Sequence, residues 1–106
     1  MENEYCMITT ACDSNDFAKD LASLLVESKL AACIQMCPVS STNRWKGKVM
    51  MENEYLLMIK TLTRLYPLVE KEILEIHPYE TPEVLNIPVQ GGEIDLVPGG
   101  IIESVD

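Results

Sequence analysis

A chain of 106 residues, 47% hydrophobic and 24% charged, has room for one domain with a modest core and none for two. Seventeen acidic residues against eight basic ones give a net charge of −9. This balance excludes phosphate-backbone recognition, and with it nucleic acid as a partner, and it favours cations. No apolar run approaches the roughly eighteen residues of a membrane span, so no membrane partner is expected, and the acidic start lacks the basic stretch of a secretory signal, so a cytoplasmic location is expected.

Tyr5 to Thr10 is rich in β-forming residues and predicts a first strand. Asp13 then stands where a helix cap is needed, with Asp16 three residues on, and Phe17, Leu21, Leu24, Leu25 and Ser28 recur at helical spacing up to Lys29. Ala32 to Trp45 and Val49 to Thr61 are two long β-like stretches joined by Lys46-Gly47-Lys48, which reads as a hairpin. Thr63 opens a second helix whose buried face is expected to be Leu65, Leu68, Val69, Ile73 and Ile76. Pro67 is tolerated in its first turn, where amide hydrogens lack partners anyway. Val84 to Val89 predicts a last strand, and Pro88 places it at a sheet edge. From Gln90 the chain is Gly-rich and weakly patterned, and is read as loop.

The order βαββαβ is that of an α+β, ferredoxin-like domain. A short repeat agrees with it: Met1-Glu2-Asn3-Glu4-Tyr5 recurs as Met51-Glu52-Asn53-Glu54-Tyr55, at the two strands that fold makes equivalent. The hairpin is too long for its domain. Strands of about fourteen residues at ~3.3 Å each run about 45 Å, whereas a domain of this size has a radius of gyration of about 13 Å. An overhang carrying Trp45, Val49, Met50 and Met51 exposes apolar surface and unpaired strand edges, which a second copy of the chain would cover.

Two groups of residues could carry chemistry. His77-Pro78-Tyr79-Glu80-Thr81-Pro82-Glu83 packs the only histidine, a phenol and two carboxylates between two prolines that stiffen the backbone. The alternative is an ordinary helix end, since a helix seldom continues through the residue before Pro. Cys6, Cys12, Cys33 and Cys37 contain no C-x-x-C pair and are expected to be reduced thiols, partly buried. Cys33 with His77 is the only nucleophile and base pair available, and no Gly-rich turn or orienting Asn accompanies it, so no enzyme is expected.

Thr10-Ala11, Leu30-Ala31-Ala32-Cys33, Arg44-Trp45-Lys46-Gly47-Lys48, Ile59-Lys60-Thr61 and the His77 to Glu83 block, in this order over about residues 5 to 92, resemble the CutA family of divalent-cation tolerance proteins. The resemblance implies a ferredoxin-like subunit in a homotrimer, similar in architecture to the PII signalling proteins, with clefts between subunits and a link to copper and other divalent ions. It departs at Cys12, where the family usually has Pro, and in the tail, where Gly91 to Pro98 replaces an aromatic-rich segment. Thr9 and Glu72 stand where some members carry additional cysteines.

From the resemblance, Cys33 and His77 are expected as weak ligands of Cu(II) or another divalent cation, with Glu80 or Glu83 completing the set. No tightly bound cofactor is expected. Lys60 and Tyr79, with Glu80 and Glu83, are expected to line the cleft, although Lys60 could instead neutralise a neighbouring glutamate. Trp45 at the hairpin corner is expected to anchor the trimer interface. Three classes of function follow: a metal-responsive binding protein, a PII-like small-ligand sensor, and a structural trimeric scaffold.

Overall fold

The structure, a computed structural model, describes residues 4–92. Seven segments follow in order: β1 (Tyr5–Cys12), α1 (Asn15–Glu27), β2 (Cys33–Trp45), β3 (Lys48–Leu62), a 3-10 turn (Thr63–Leu65), α2 (Tyr66–Ile76) and β4 (Val84–Pro88). The four strands form one sheet in the order β2-β3-β1-β4, with every neighbouring pair antiparallel. β3 is thereby inserted between β1 and β2, the split βαβ arrangement expected from the element order.

Alternation along β1 sets which face is covered. Cys6, Ile8, Thr10 and Cys12 are buried, and the first three lie opposite Thr61, Ile59 and Leu57 of β3. These side chains meet Ala18, Leu21 and Leu25 of α1 and Val69 and Ile73 of α2 in one core, with both helices on the same side of the sheet. Thr61 is held within it because its hydroxyl donates to the Leu30 carbonyl at 2.7 Å.

The helix ends differ in detail from the sequence reading. The cap of α1 is Ser14, whose hydroxyl accepts from the Phe17 amide at 3.1 Å, and not Asp13. Ser14 has the extended backbone a cap requires, and Asp16 falls within the first turn, where its charge suits the helix dipole. Lys29 lies beyond the helix at φ 65, the left-handed conformation that closes a helix end. Thr63 opens a 3-10 turn, and α2 begins only at Tyr66 with Pro67 in its first turn. Leu24, Leu68 and Ile76, expected in the core, are exposed. Two helices on one small sheet leave each only a narrow buried stripe.

Both prolines within strands lie on edges, Pro38 on β2 and Pro88 on β4, where a missing amide hydrogen leaves the ladder intact. Bonding beside Pro88 resumes with the Val89 amide on the Tyr5 carbonyl at 3.1 Å. The tail expected to be loop lies, beyond Gly92, outside the described residues.

β2 and β3 stay in unbroken register from Cys33↔Lys60 to Trp45↔Lys48, while β1 reaches only Tyr55. From Val39↔Glu54 outward the hairpin is a free two-stranded ribbon of seven pairs, about 23 Å long. It closes through a two-residue turn with Lys46 at φ 49 and Gly47 at φ 78, the pattern whose twist matches that of the strands. The ribbon stretches the molecule to 48 × 30 × 21 Å with a radius of gyration of 14.6 Å, against about 13 Å for a compact domain of this length.

Candidate functional site

The His77 to Glu83 block leaves α2 and is tied to the far end of β1. His77 ends the helix: Pro78 forces it into extended backbone at ψ 134, and its amide still reaches the Ile73 carbonyl at 2.9 Å. The imidazole then turns inward and is only 8% exposed. Its Nε2 donates to the Ala11 carbonyl at 2.8 Å, and its Nδ1 accepts from the Tyr79 amide at 3.1 Å. These partners assign the ring hydrogen to Nε2. Phe17 packs edge-on against the ring at 5.3 Å between centroids, and Tyr79 lies tilted at 4.7 Å. Further along, the Glu83 carbonyl accepts from the Thr10 hydroxyl at 2.9 Å.

Tyr79 reaches in the other direction. Its hydroxyl donates to Glu54 Oε2 at 2.7 Å, and Glu54 is itself 8% exposed, so the pair is a phenol and a carboxylate held in a largely dry setting. Burial pushes the Tyr79 phenol well above its ordinary value, and the bond to Glu54 and the charges of Glu54, Asp13 and Glu52 push it further. Tyr66 on α2 makes a similar bond to Glu70 at 2.6 Å, and that bond, aided by burial, raises its phenol to about 12.

These two phenols imply an alkaline limit. A group whose pKa is raised on folding holds its proton more tightly in the folded state, so its contribution is complete below the unfolded value of about 10 and is lost as pH climbs through the folded value. Stability measured by urea unfolding is expected to begin falling near pH 9, where the Cys6 and Cys12 thiols, raised by burial in the folded chain, start to ionise in the unfolded one, and to fall further from about pH 10 as the two phenols do. Tyr79→Phe should flatten part of that fall. A profile for Tyr79→Phe that superimposes on the parent's would contradict the assignment.

The metal pair expected from the sequence is not brought together within the chain. Cys33 sits opposite Lys60, which in turn lies opposite Met7, whereas His77 is bonded at Ala11. The two positions are about 13 Å apart along the sheet and two strand spacings apart across it. Both His77 nitrogens already have partners, so the ring has no lone pair to offer a metal without breaking one of them. No group of three or more His, Cys, Asp or Glu side chains among the described residues is placed to hold a metal ion. A closed divalent site therefore does not fit the residues of a single chain.

The cleft residues divide similarly. Lys60 and Glu54 are six residues apart on β3, about 20 Å along the strand, so within one chain the Tyr79 hydroxyl finds Glu54 in place of the expected lysine. Glu80 and Glu83 point their charges at solvent from an ordered backbone. Trp45 is 63% exposed at the hairpin corner, with Lys46 Nζ at 5.6 Å from its ring centroid. All four cysteines are free. Cys6 and Cys12 are buried and their thiols are raised by burial, which suits small core residues, while Cys33 is exposed and Cys37 half-buried.

Ser14 was not singled out by the sequence, and Glu54 and Thr10 entered it only as members of the short repeat and of the stretches that carry the resemblance, with no role assigned, although each organises this end of the sheet. Only Glu54 left a signal there, as a carboxylate on a strand two residues ahead of the apolar run Leu56 to Ile59.

No helix among the described residues is long and apolar enough to cross a membrane. The family model described as "CutA1 divalent ion tolerance protein" matches residues 6–97. Protein CutA of Mus musculus is 40% identical over 82 residues, which are 76% of this chain and 46% of that protein, so the chain spans about half the length of this relative. The divalent-cation tolerance protein CutA of Thermus thermophilus is 38% identical over 80 residues, 74% of this chain and 78% of that one. Among solved structures, the periplasmic divalent cation tolerance protein CutA of Archaeoglobus fulgidus superimposes with a TM-score of 0.87 at 30% identity, covering 96% of this chain and 99% of the other. CutA1 of Shewanella sp. SIB1 gives 0.83 at 37% identity, with 88% of each chain covered. A matched core from β1 through β4 and the agreement in fold lead to one conclusion: this chain belongs to the CutA1 divalent ion tolerance protein family.

Proposed function

We propose that the chain works as a non-enzymatic homotrimer in the cytoplasm, with a PII-like arrangement of subunits, that takes part in tolerance of divalent ions such as copper. The observation that carries the oligomer is the seven-pair ribbon, which leaves its own domain with Trp45, Val49 and Met51 exposed by 63%, 65% and 73%. Four free thiols suit a reducing compartment.

In this reading metal binding is weak and arises where copies meet. The exposed donors, Cys33, Glu80 and Glu83, supply it, and His77, buried with both ring nitrogens engaged within the subunit, takes no part. Lys60 and Tyr79 then come from different copies if they share a cleft. A structural scaffold is the second reading, favoured by the engagement of both His77 nitrogens and the Tyr79 hydroxyl inside the subunit.

A melting-temperature screen separates the two, because a ligand that binds only the folded state must raise the midpoint. Cu(II), Zn(II) and nucleotides are the probes. A rise with the metals, reversed by chelator and lost in Cys33→Ser, is expected. A rise with nucleotides alone would favour the small-ligand sensor, and no rise with any probe would leave the scaffold.

A further inference from the structure

His77 is the chain's only histidine, and its setting admits one ring hydrogen and no second. Nε2 donates that hydrogen to the Ala11 carbonyl at 2.8 Å, and Nδ1 faces the amide hydrogen of Tyr79 at 3.1 Å. A proton on Nδ1 would point one donor at another, and it would charge a ring that is 8% exposed and packed between Phe17 and Tyr79. The neutral ring belongs to this closed geometry, and a charged ring is excluded from it. Pro78 limits how the conflict can be relieved. Its φ is fixed by the pyrrolidine ring, so the Tyr79 amide turns only through ψ of Pro78 and φ of Tyr79. That turn carries the Tyr79 side chain with it, and the Tyr79 hydroxyl is the group bonded to Glu54 at 2.7 Å.

We infer that His77 is an acid-sensitive latch on the loop from Pro78 to Glu83: the neutral imidazole holds the loop against β1, and uptake of a second ring proton releases it together with the Tyr79 bond to Glu54. The latch depends on neither the oligomeric nor the metal reading above. The carboxylates of Asp13, just after β1, and of Glu52 and Glu54 on β3 all act on the Tyr79 phenol, and Asp13 and Glu54 act on the Cys12 thiol as well. From α1 comes the neutral Phe17 ring, and the loop itself carries Glu80 and Glu83 at its exposed surface. A ring that leaves the Tyr79 amide meets water and these acidic groups, and both favour its charged form. The closed state takes no proton at Nδ1 and the open state takes one, so acidification shifts the balance toward opening. The latch is whole above the ordinary imidazole range of about 6.5 and weakens about tenfold per pH unit below it. At the far end of the loop the Thr10 hydroxyl still holds the Glu83 carbonyl at 2.9 Å, so the motion is a swing about that end and leaves the sheet and helices in place.

The test is nuclear magnetic resonance on the isotope-labelled full chain, freed of metal by chelator, between pH 8 and pH 5.5. With one histidine in the chain, the imidazole signals belong to His77 without further assignment. The window stays above the ordinary carboxylate range of about 4. At pH 8 the ring is expected as the tautomer with its hydrogen on Nε2. Below about pH 6.5 the second proton should arrive at Nδ1, and over the same range the exchange protection of the Tyr79 amide should fall about tenfold per pH unit. The amides of Ile8 and Ile59, both in the core, should keep their protection. His77→Gln retains a donor for the Ala11 carbonyl and takes up no proton, so it should lose the pH response of the loop while circular dichroism shows it folded. Should that variant fail to fold, the parent's own titration decides. A ring that gains its second proton with Tyr79 protection unchanged would overturn the inference, as would a ring that stays neutral to pH 5.5. Protection lost at Tyr79, Ile8 and Ile59 together would also overturn it, because the event would then be acid unfolding of the subunit. The same loop response in folded His77→Gln would do so as well, by assigning the switch to another group.

Discussion

Trp45→Ala is expected to turn an oligomer that persists at micromolar concentration into one that dissociates there, while the subunit keeps its helices and sheet. The indole lies at the last pair of a ribbon that β1 does not reach, and neither core cluster includes it. Removing it therefore costs the isolated subunit little. Between copies the same side chain is a large amphipathic anchor, and truncating such an anchor commonly costs 2 kcal/mol or more of binding, about thirtyfold in each contact. In a closed ring each copy contributes one tip, so the losses accumulate. Light scattering against concentration, with the melting curve recorded in parallel, reads both quantities. A loss of secondary structure that precedes dissociation would contradict the assignment of Trp45 to the interface.

His77→Ala should have the opposite signature, with a large loss of subunit stability and no change in intrinsic metal affinity. The substitution removes a ring buried against Phe17 and Tyr79, and it strips partners from the Ala11 carbonyl and the Tyr79 amide. Cavity formation and two orphaned backbone groups together cost about 3 kcal/mol. Urea unfolding should show it as a lower midpoint with an unchanged slope. His77→Phe should recover part of the packing but neither hydrogen bond. A metal isotherm recorded under conditions where the variant is folded should superimpose on the parent's. A weakened isotherm with unaltered stability would restore the imidazole as a ligand.

The element order was legible in the sequence because each element carries a local signal: β-forming residues in β1, a 3.6-residue recurrence in α1, and turn residues at Lys46-Gly47. Pro88 located an edge from one residue, since a strand inside the sheet cannot spare its amide. Leu24, Leu68 and Ile76 were placed in the core by spacing alone, and spacing says nothing of how wide a stripe the sheet can cover. The site was less legible for a related reason. Cys33 and His77 are both metal-binding residue types, but which of them meet is decided by register and by the faces they occupy, and sequence spacing fixes neither. Glu54 lies 25 positions from Tyr79, so their bond has no local signature. The proline-flanked block was recognised as stiff, and its stiffness serves to pin β1 to the end of α2 through His77, Tyr79 and Glu83.

The claim on which the functional account rests is that the ribbon is half of an interface between copies of this chain. Light scattering coupled to size exclusion on the parent chain at micromolar concentration and moderate salt tests it most directly. The account predicts a mass three times the 11.9 kDa of the chain, unchanged on dilution to sub-micromolar protein. A mass of 11.9 kDa under the same conditions would contradict it.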